Sequence, residues 1–233
     1  MFSALHLGLI LVTVLIMAVS IRYFFPNRKS TEPWLILITL VVVLLDPLYW
    51  VWEIKSFGSL NMATTLPIYL CSLFWLQLPF AVFGKGRLRQ ITQANIATVG
   101  LLCGILGFVF NVHLSVHGVL SFVGLRSLLY HFLMIFVSCY FWVSGYYEPK
   151  REDHIHSFIP VLLLLVPCFI LYRAFGFDYG YMAGGIGTPF EMLSSRLPRG
   201  LFLLVLYGAF YLVNRTLFYR HVTDKKISLS DLT

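Results

Sequence analysis

The chain has 233 residues, 59% hydrophobic and only 12% charged, with a formal net charge of +7 and a mean hydropathy of +0.83. That balance excludes a soluble globular domain, which could not cover so much apolar surface with so few charged groups. It gives no support to a nucleic-acid binder either, because the basic residues sit in short loops between apolar runs, where positive charge orients a membrane protein.

The apolar runs are about 20 residues long and lack the period-two alternation of barrel strands. They predict an all-α bundle of seven transmembrane helices, a single membrane-embedded domain over 1–233. The helices fall at about 4–25, 34–54, 66–83, 91–111, 126–146, 157–175 and 199–219. The first has no basic n-region and no cleavage site after it, so it reads as a retained helix rather than a signal peptide. It ends at Pro26, Asn27, Arg28 and Lys29. The second carries Asp46, Trp50 and Glu53. Asp46 and Glu53 are seven residues apart, about 700° of helix, so they share one face.

Gly58, Ser59 and Asn61 separate the second helix from the third, which opens with Pro67 and places Cys71 one turn later. Gly84 and Gly86, with Lys85, Arg87 and Arg89, close it. In the fifth helix Ser127, His131 and Ser138 fall on one stripe, and Arg126 stands at the entrance. The run Glu148 to Asp153 ends that helix. The segment 176–198 contains Gly184, Gly185, Ile186 and Gly187 and suits either a lid or an ordinary exposed loop.

Counted over the loops, twelve Lys and Arg lie on one side and five on the other. By the positive-inside rule the N-terminus is outside and the C-terminus cytoplasmic, in a multi-pass protein of the cell membrane. In this topology helices 3 and 5 run the same way. Cys71 and His131 each lie about 7–8 Å into the membrane from the outer side. Ionisable groups at membrane depth usually face a cavity or one another. Cys71, His131, Asp46, Glu53 and Arg126 are therefore candidates for one outward-facing site. The competing reading is structural: a cysteine in an apolar helix usually packs, and a histidine can simply tie helices together. Cys103, Cys139 and Cys168 keep the packing reading. No cysteine spacing suggests a metal or a cofactor, and four free thiols are expected.

Several enzyme classes are unsupported. The last helix has no lysine for a retinal Schiff base. No Gly-x-Ser-Gly, paired-glutamate protease pattern, His-x4-Asp acyltransferase motif or Walker motif is present.

The run Leu66-Pro67-Ile68-Tyr69-Leu70-Cys71, with His131 and the later Asp178-Tyr179-Gly180-Tyr181-Met182, resembles the YwaF-type bacterial integral membrane proteins. That family is similar to the transmembrane protein 164 acyltransferases, and more distantly to membrane hydrolases of fatty-acid esters. The likeness covers roughly residues 34–219. Two positions depart from the pattern: Tyr69 stands where the family commonly has His, and Asp178 where it usually has Asn. The resemblance implies lipid acyl transfer or ester cleavage by Cys71 and His131, with membrane lipids as partners. Asp46, Glu53, Arg126, Tyr69 and Tyr181 would then contact substrate, Arg126 on a phosphate or carboxylate and Asp46 orienting His131. The other class the residues allow is a small-solute or proton-coupled transporter with Asp46, Glu53, Arg126 and His131 along the pathway.

Overall fold

Among the residues described by the computed structural model, 3–26, 33–185 and 187–230, every regular element is a helix. Side chains are described for these residues except Ser115 and 219–230. Arg28, Lys29 and Ile186 lie outside the described residues, as do the side chains of Arg220, Lys225 and Lys226.

In chain order the long helices are α1 (Ala4–Val19, continued by a π turn Ser20–Phe24) and α2 (Pro33–Phe57). After α3 (Ser72–Phe83) comes a composite run of α4 (Gly86–Asn95), a π segment (Ile96–Gly100) and α5 (Leu101–Val109). A short α6 (Val112–His117) leads to α7 (Phe122–Val143). The four-residue α8 (Asp153–His156) precedes α9 (Ile159–Phe175). A 3-10 turn (Tyr179–Tyr181) and the four-residue α10 (Glu191–Ser194) precede α11 (Arg199–Ser230). Among the described residues six stretches are long and apolar enough to cross a membrane: Ala4–Phe24, Pro33–Phe57, Gly86–Leu114, Phe122–Val143, Asp153–Phe175 and Arg199–Phe218. The protein is thus a multi-pass helical membrane protein.

The main departure from the sequence reading is the third helix, expected over 66–83. Only Ser72–Phe83 is helical, about 18 Å at 1.5 Å per residue. The chain before it is irregular because Pro67 disfavours a helical Leu66. The segment also spends its backbone groups elsewhere. Leu66 N–H donates to the Tyr179 hydroxyl at 2.9 Å, and the Thr65 carbonyl accepts from Trp50 Nε1 at 3.3 Å. Cys71 therefore caps the helix instead of sitting a turn inside it.

α7 is the central helix. It packs on α2, α5, α6 and the π segment, and side chains along most of its length are buried. Small residues on α5 permit this. Ideal methyl groups added at Gly104 would lie 3.0–3.2 Å from Ile135 and Met134 of α7. The π segment also has a counterpart on α7. A π turn leaves carbonyls outside the regular ladder, and Ser138 Oγ donates to Ile96 O at 2.7 Å while Trp142 Nε1 donates to Ala97 O at 2.5 Å. A similar repair occurs on α2. Pro47 has no N–H to offer the Val43 carbonyl four residues earlier, and Trp75 Nε1 of α3 donates to it at 2.9 Å.

The helix ends sort into two groups by contact. At one end Phe25 and Trp34 ring-pack on Tyr140, Arg89 lies over Tyr146, and Gln90 Nε2 donates to Asp153 Oδ2 at 2.6 Å. Asn214 Nδ2 bonds Ser157 Oγ at the same end. At the other end His6 Nε2 bonds Phe108 O at 2.9 Å, Trp52 packs on Phe122, and Tyr179 meets the segment after α2.

Candidate functional site

A cavity of about 520 Å³, counted to its open mouth, lies between α2, the irregular segment before α3, α6 and α7. Its walls include Asp46, Tyr69, Cys71, Arg126 and His131, five of the seven residues singled out in the sequence, together with Tyr49, His113 and Tyr130.

The α2 face expected from helical spacing is turned this way. Asp46 takes Arg126 of α7 as its ion-pair partner, through Oδ1 and Nη2. Arg126 Nε also donates to Leu45 O at 3.2 Å, and its guanidinium lies 4.5 Å over the Tyr49 ring. Three α2 groups thus hold one cation at membrane depth, where an unpaired charge is costly. Glu53 is buried but does not line the cavity. It accepts from Thr65 Oγ1 at 2.5 Å and so anchors the segment that forms the wall. Asp46 engages Arg126 rather than His131. Arg126 already has its counter-charge within the bundle.

His131 is positioned from its own helix. Its Nδ1 meets the Ser127 carbonyl at 2.8 Å. A carbonyl only accepts, so Nδ1 carries the proton and Nε2 keeps the lone pair in the neutral ring. Cys71, half-buried, shares the cavity with His131 with no hydrogen bond between thiol and ring. The Cys71 backbone is fixed by Tyr130. The Tyr130 hydroxyl donates to Cys71 O at 3.1 Å and accepts from Trp75 N at 3.1 Å, tying the start of α3 to α7.

Tyr69 and Tyr181 part company. Tyr69 lines the cavity and packs edge-on against Tyr179 at 4.8 Å. Tyr181 is not among the lining residues; its ring meets Phe190 at 5.0 Å. Its backbone, at φ 59°, follows Gly180 at the same φ. The residue of that segment which bonds the cavity wall is Tyr179. Its hydroxyl donates to Met62 O at 2.7 Å and accepts from Leu66 N at 2.9 Å, stapling both ends of the cavity wall. Burial pushes the Tyr179 phenol up to about 12, so it remains a donor across the physiological range. Sequence reasoning passed over Tyr130 and Tyr179 as site residues. The only available signal for Tyr130 was its place one turn after Arg126 on the same helix.

The four cysteines are free thiols. Among the described residues no group of three His, Cys, Asp or Glu is placed to hold a metal.

Fold and cavity together define a multi-pass helical membrane protein with a polar, thiol-bearing pocket at membrane depth. The model of the TMEM164 family matches residues 1–219, and the chain belongs to that family. No curated protein and no solved structure matches it.

Proposed function

We propose that this protein is a cell-membrane lipid acyltransferase or lipid ester hydrolase in which Cys71 is the nucleophile and His131 the general base. The observation that carries this reading is the shared cavity. A thiol and an imidazole with a free Nε2 line the same pocket, which opens within a bundle otherwise clad in apolar side chains. Membership of the TMEM164 family supports it, and kinship with the YwaF-type bacterial proteins belongs to the same proposal.

The thiol proton passes to His131 Nε2, and the thiolate sulfur attacks the carbonyl carbon of an acyl ester. The ester C–O bond breaks, and the leaving alkoxide takes the proton from His131. An acyl-Cys71 thioester remains. An acceptor hydroxyl or water then gives its proton to Nε2 and attacks the thioester carbonyl; the C–S bond breaks, and the released thiolate takes the proton back from Nε2, returning Cys71 as a thiol. In a protein without substrate, catalytic hydrogen bonds are often unmade, and they form when the reactants are in place.

The proposal includes a seven-crossing topology with the N-terminus outside and the C-terminus cytoplasmic. The two sets of helix ends support it. α2 and α4 both start at the end where Arg89 and Asp153 lie, so residues 58–83 must return across the bundle. The extended stretch before Ser72 supplements a helix too short to do so alone.

The test is acyl trapping. The full-length protein in nanodiscs receives a phospholipid whose acyl chain carries an alkyne. The expected result is a hydroxylamine-sensitive label on the Cys71 peptide, absent in Cys71→Ala and strongly reduced in His131→Ala. Labelling that persists in Cys71→Ala would sink the reading. A transporter is the second reading, favoured by the Asp46–Arg126 pair in the cavity wall. It requires solute flux into liposomes that survives Cys71→Ala and fails with Asp46→Asn.

A further inference from the structure

The π segment and α5 present glycines to α7 at positions 100, 104 and 107, and each faces a different neighbour. A methyl added at Gly100 would find Ser138 Oγ at 3.5 Å, an ordinary contact. At Gly104 it would press on Ile135 and Met134. At Gly107 the three nearest atoms all belong to the His131 ring, Nε2 first, and the overlap is outright. Glycine stripes between membrane helices ordinarily serve close backbone approach. Gly104 fits that description. Gly107 differs because the space it leaves is filled by an imidazole.

We infer that Gly107 is a positioning residue for His131: its missing side chain is the notch that fixes where the imidazole sits beside the cavity. This rests on the acyl-transfer reading only for its consequence, since the placement itself is geometric. The ring is held on three sides. Ser127 O binds Nδ1 at 2.8 Å, and the Tyr130 ring stands edge-on at 5.8 Å. Gly107 lies against the Nε2 edge. Asn111, between α5 and α6, steadies the acceptor residue, because its Nδ2 donates to Ser127 Oγ at 2.9 Å and Ser127 Oγ returns a bond to Asn111 Oδ1 at 3.2 Å. No rotamer of alanine relieves a Cβ overlap, so Gly107→Ala must displace the ring or part the helices.

The experiment is a double-mutant cycle on the full-length chain in detergent micelles, with Gly104→Ala as the packing control. Gly107→Ala should lower the thermal unfolding midpoint by about 4–8 °C, and that loss should vanish in the His131→Ala background. The Gly104→Ala loss should persist there. The second readout is carbethoxylation of His131 by diethyl pyrocarbonate, followed on its peptide by mass spectrometry. Gly107→Ala should change its rate by about fivefold or more, and Gly104→Ala by less than about twofold.

If Gly107→Ala fails to fold, recovery of folded protein in Gly107→Ala/His131→Ala carries the inference, and no recovery overturns it. A Gly107→Ala loss that is the same with and without His131 overturns it as well. Cys71 acylation that proves independent of His131 would defeat the acyl-transfer reading while leaving this cycle to decide the role of Gly107 separately.

Discussion

Removing the charge of Asp46 should destabilise the protein far more than its size suggests, because the cost falls on Arg126. The two side chains are 8% and 16% exposed, and their ion pair joins α2 to α7 inside the bundle. Breaking a buried pair by deleting one partner typically costs about 3–5 kcal/mol, since the survivor stays buried and uncompensated. Here Arg126 would retain Leu45 O and the Tyr49 face, the latter worth about 1 kcal/mol. The expected loss for Asp46→Asn is therefore about 2–4 kcal/mol, or roughly 5–12 °C in unfolding midpoint for a chain of this length. Arg126→Gln should cost a similar amount by stranding Asp46. The double variant, with two neutral hydrogen-bonding groups, should lose less than the sum by about 1–3 kcal/mol. Tryptophan fluorescence during urea or thermal unfolding in micelles measures all four proteins. Additivity within about 0.5 kcal/mol would mean that the two residues do not form a pair, and the argument from buried charge would be wrong.

Three further outcomes follow from the same contacts. Tyr179→Phe strands the Met62 carbonyl and the Leu66 amide and should cost about 1–3 kcal/mol, with faster proteolysis between α2 and α3 as the local sign. Tyr179 should also impose a slope at alkaline pH. Its folded pKa is raised from 10.0 to about 12 by burial, so its contribution is intact below pH 10 and declines between pH 10 and 12. A wild-type minus Tyr179→Phe difference that stays flat across that window would refute the buried placement. Ser138→Ala should cost about 1–2 kcal/mol by freeing the Ile96 carbonyl of the π segment, measured as faster amide exchange around Ile96–Gly100.

What the sequence made legible was what one helix can encode alone. Asp46, Trp50 and Glu53 share a face because 3.6 residues make a turn, and all three turn toward the segment before α3 or toward α7. Ser127, His131 and Ser138 likewise all address the run from α4 to α6, through Asn111, Gly107 and Ile96. Partners across long chain separations were not legible. Nothing local in Asp178 to Met182 distinguishes Tyr179 from Tyr181; the choice is made by Met62 and Leu66, more than a hundred residues away. Apolarity alone predicts a helix for the irregular stretch before Ser72. Pro67 marked the break, but the bonds that reward an extended chain there come from Trp50, Glu53 and Tyr179. Gly107 carried no sequence signal beyond being a glycine in an apolar run.

α2 has one more property. Leu37, Leu40, Leu44, Leu48 and Val51 form an exposed apolar strip along it, while Asp46 and Tyr49 look into the cavity. The helix is thus two-sided, an apolar strip outward and the Asp46–Arg126 pair inward, so its rotation about its own axis is set by charge on one face and by apolar exposure on the other.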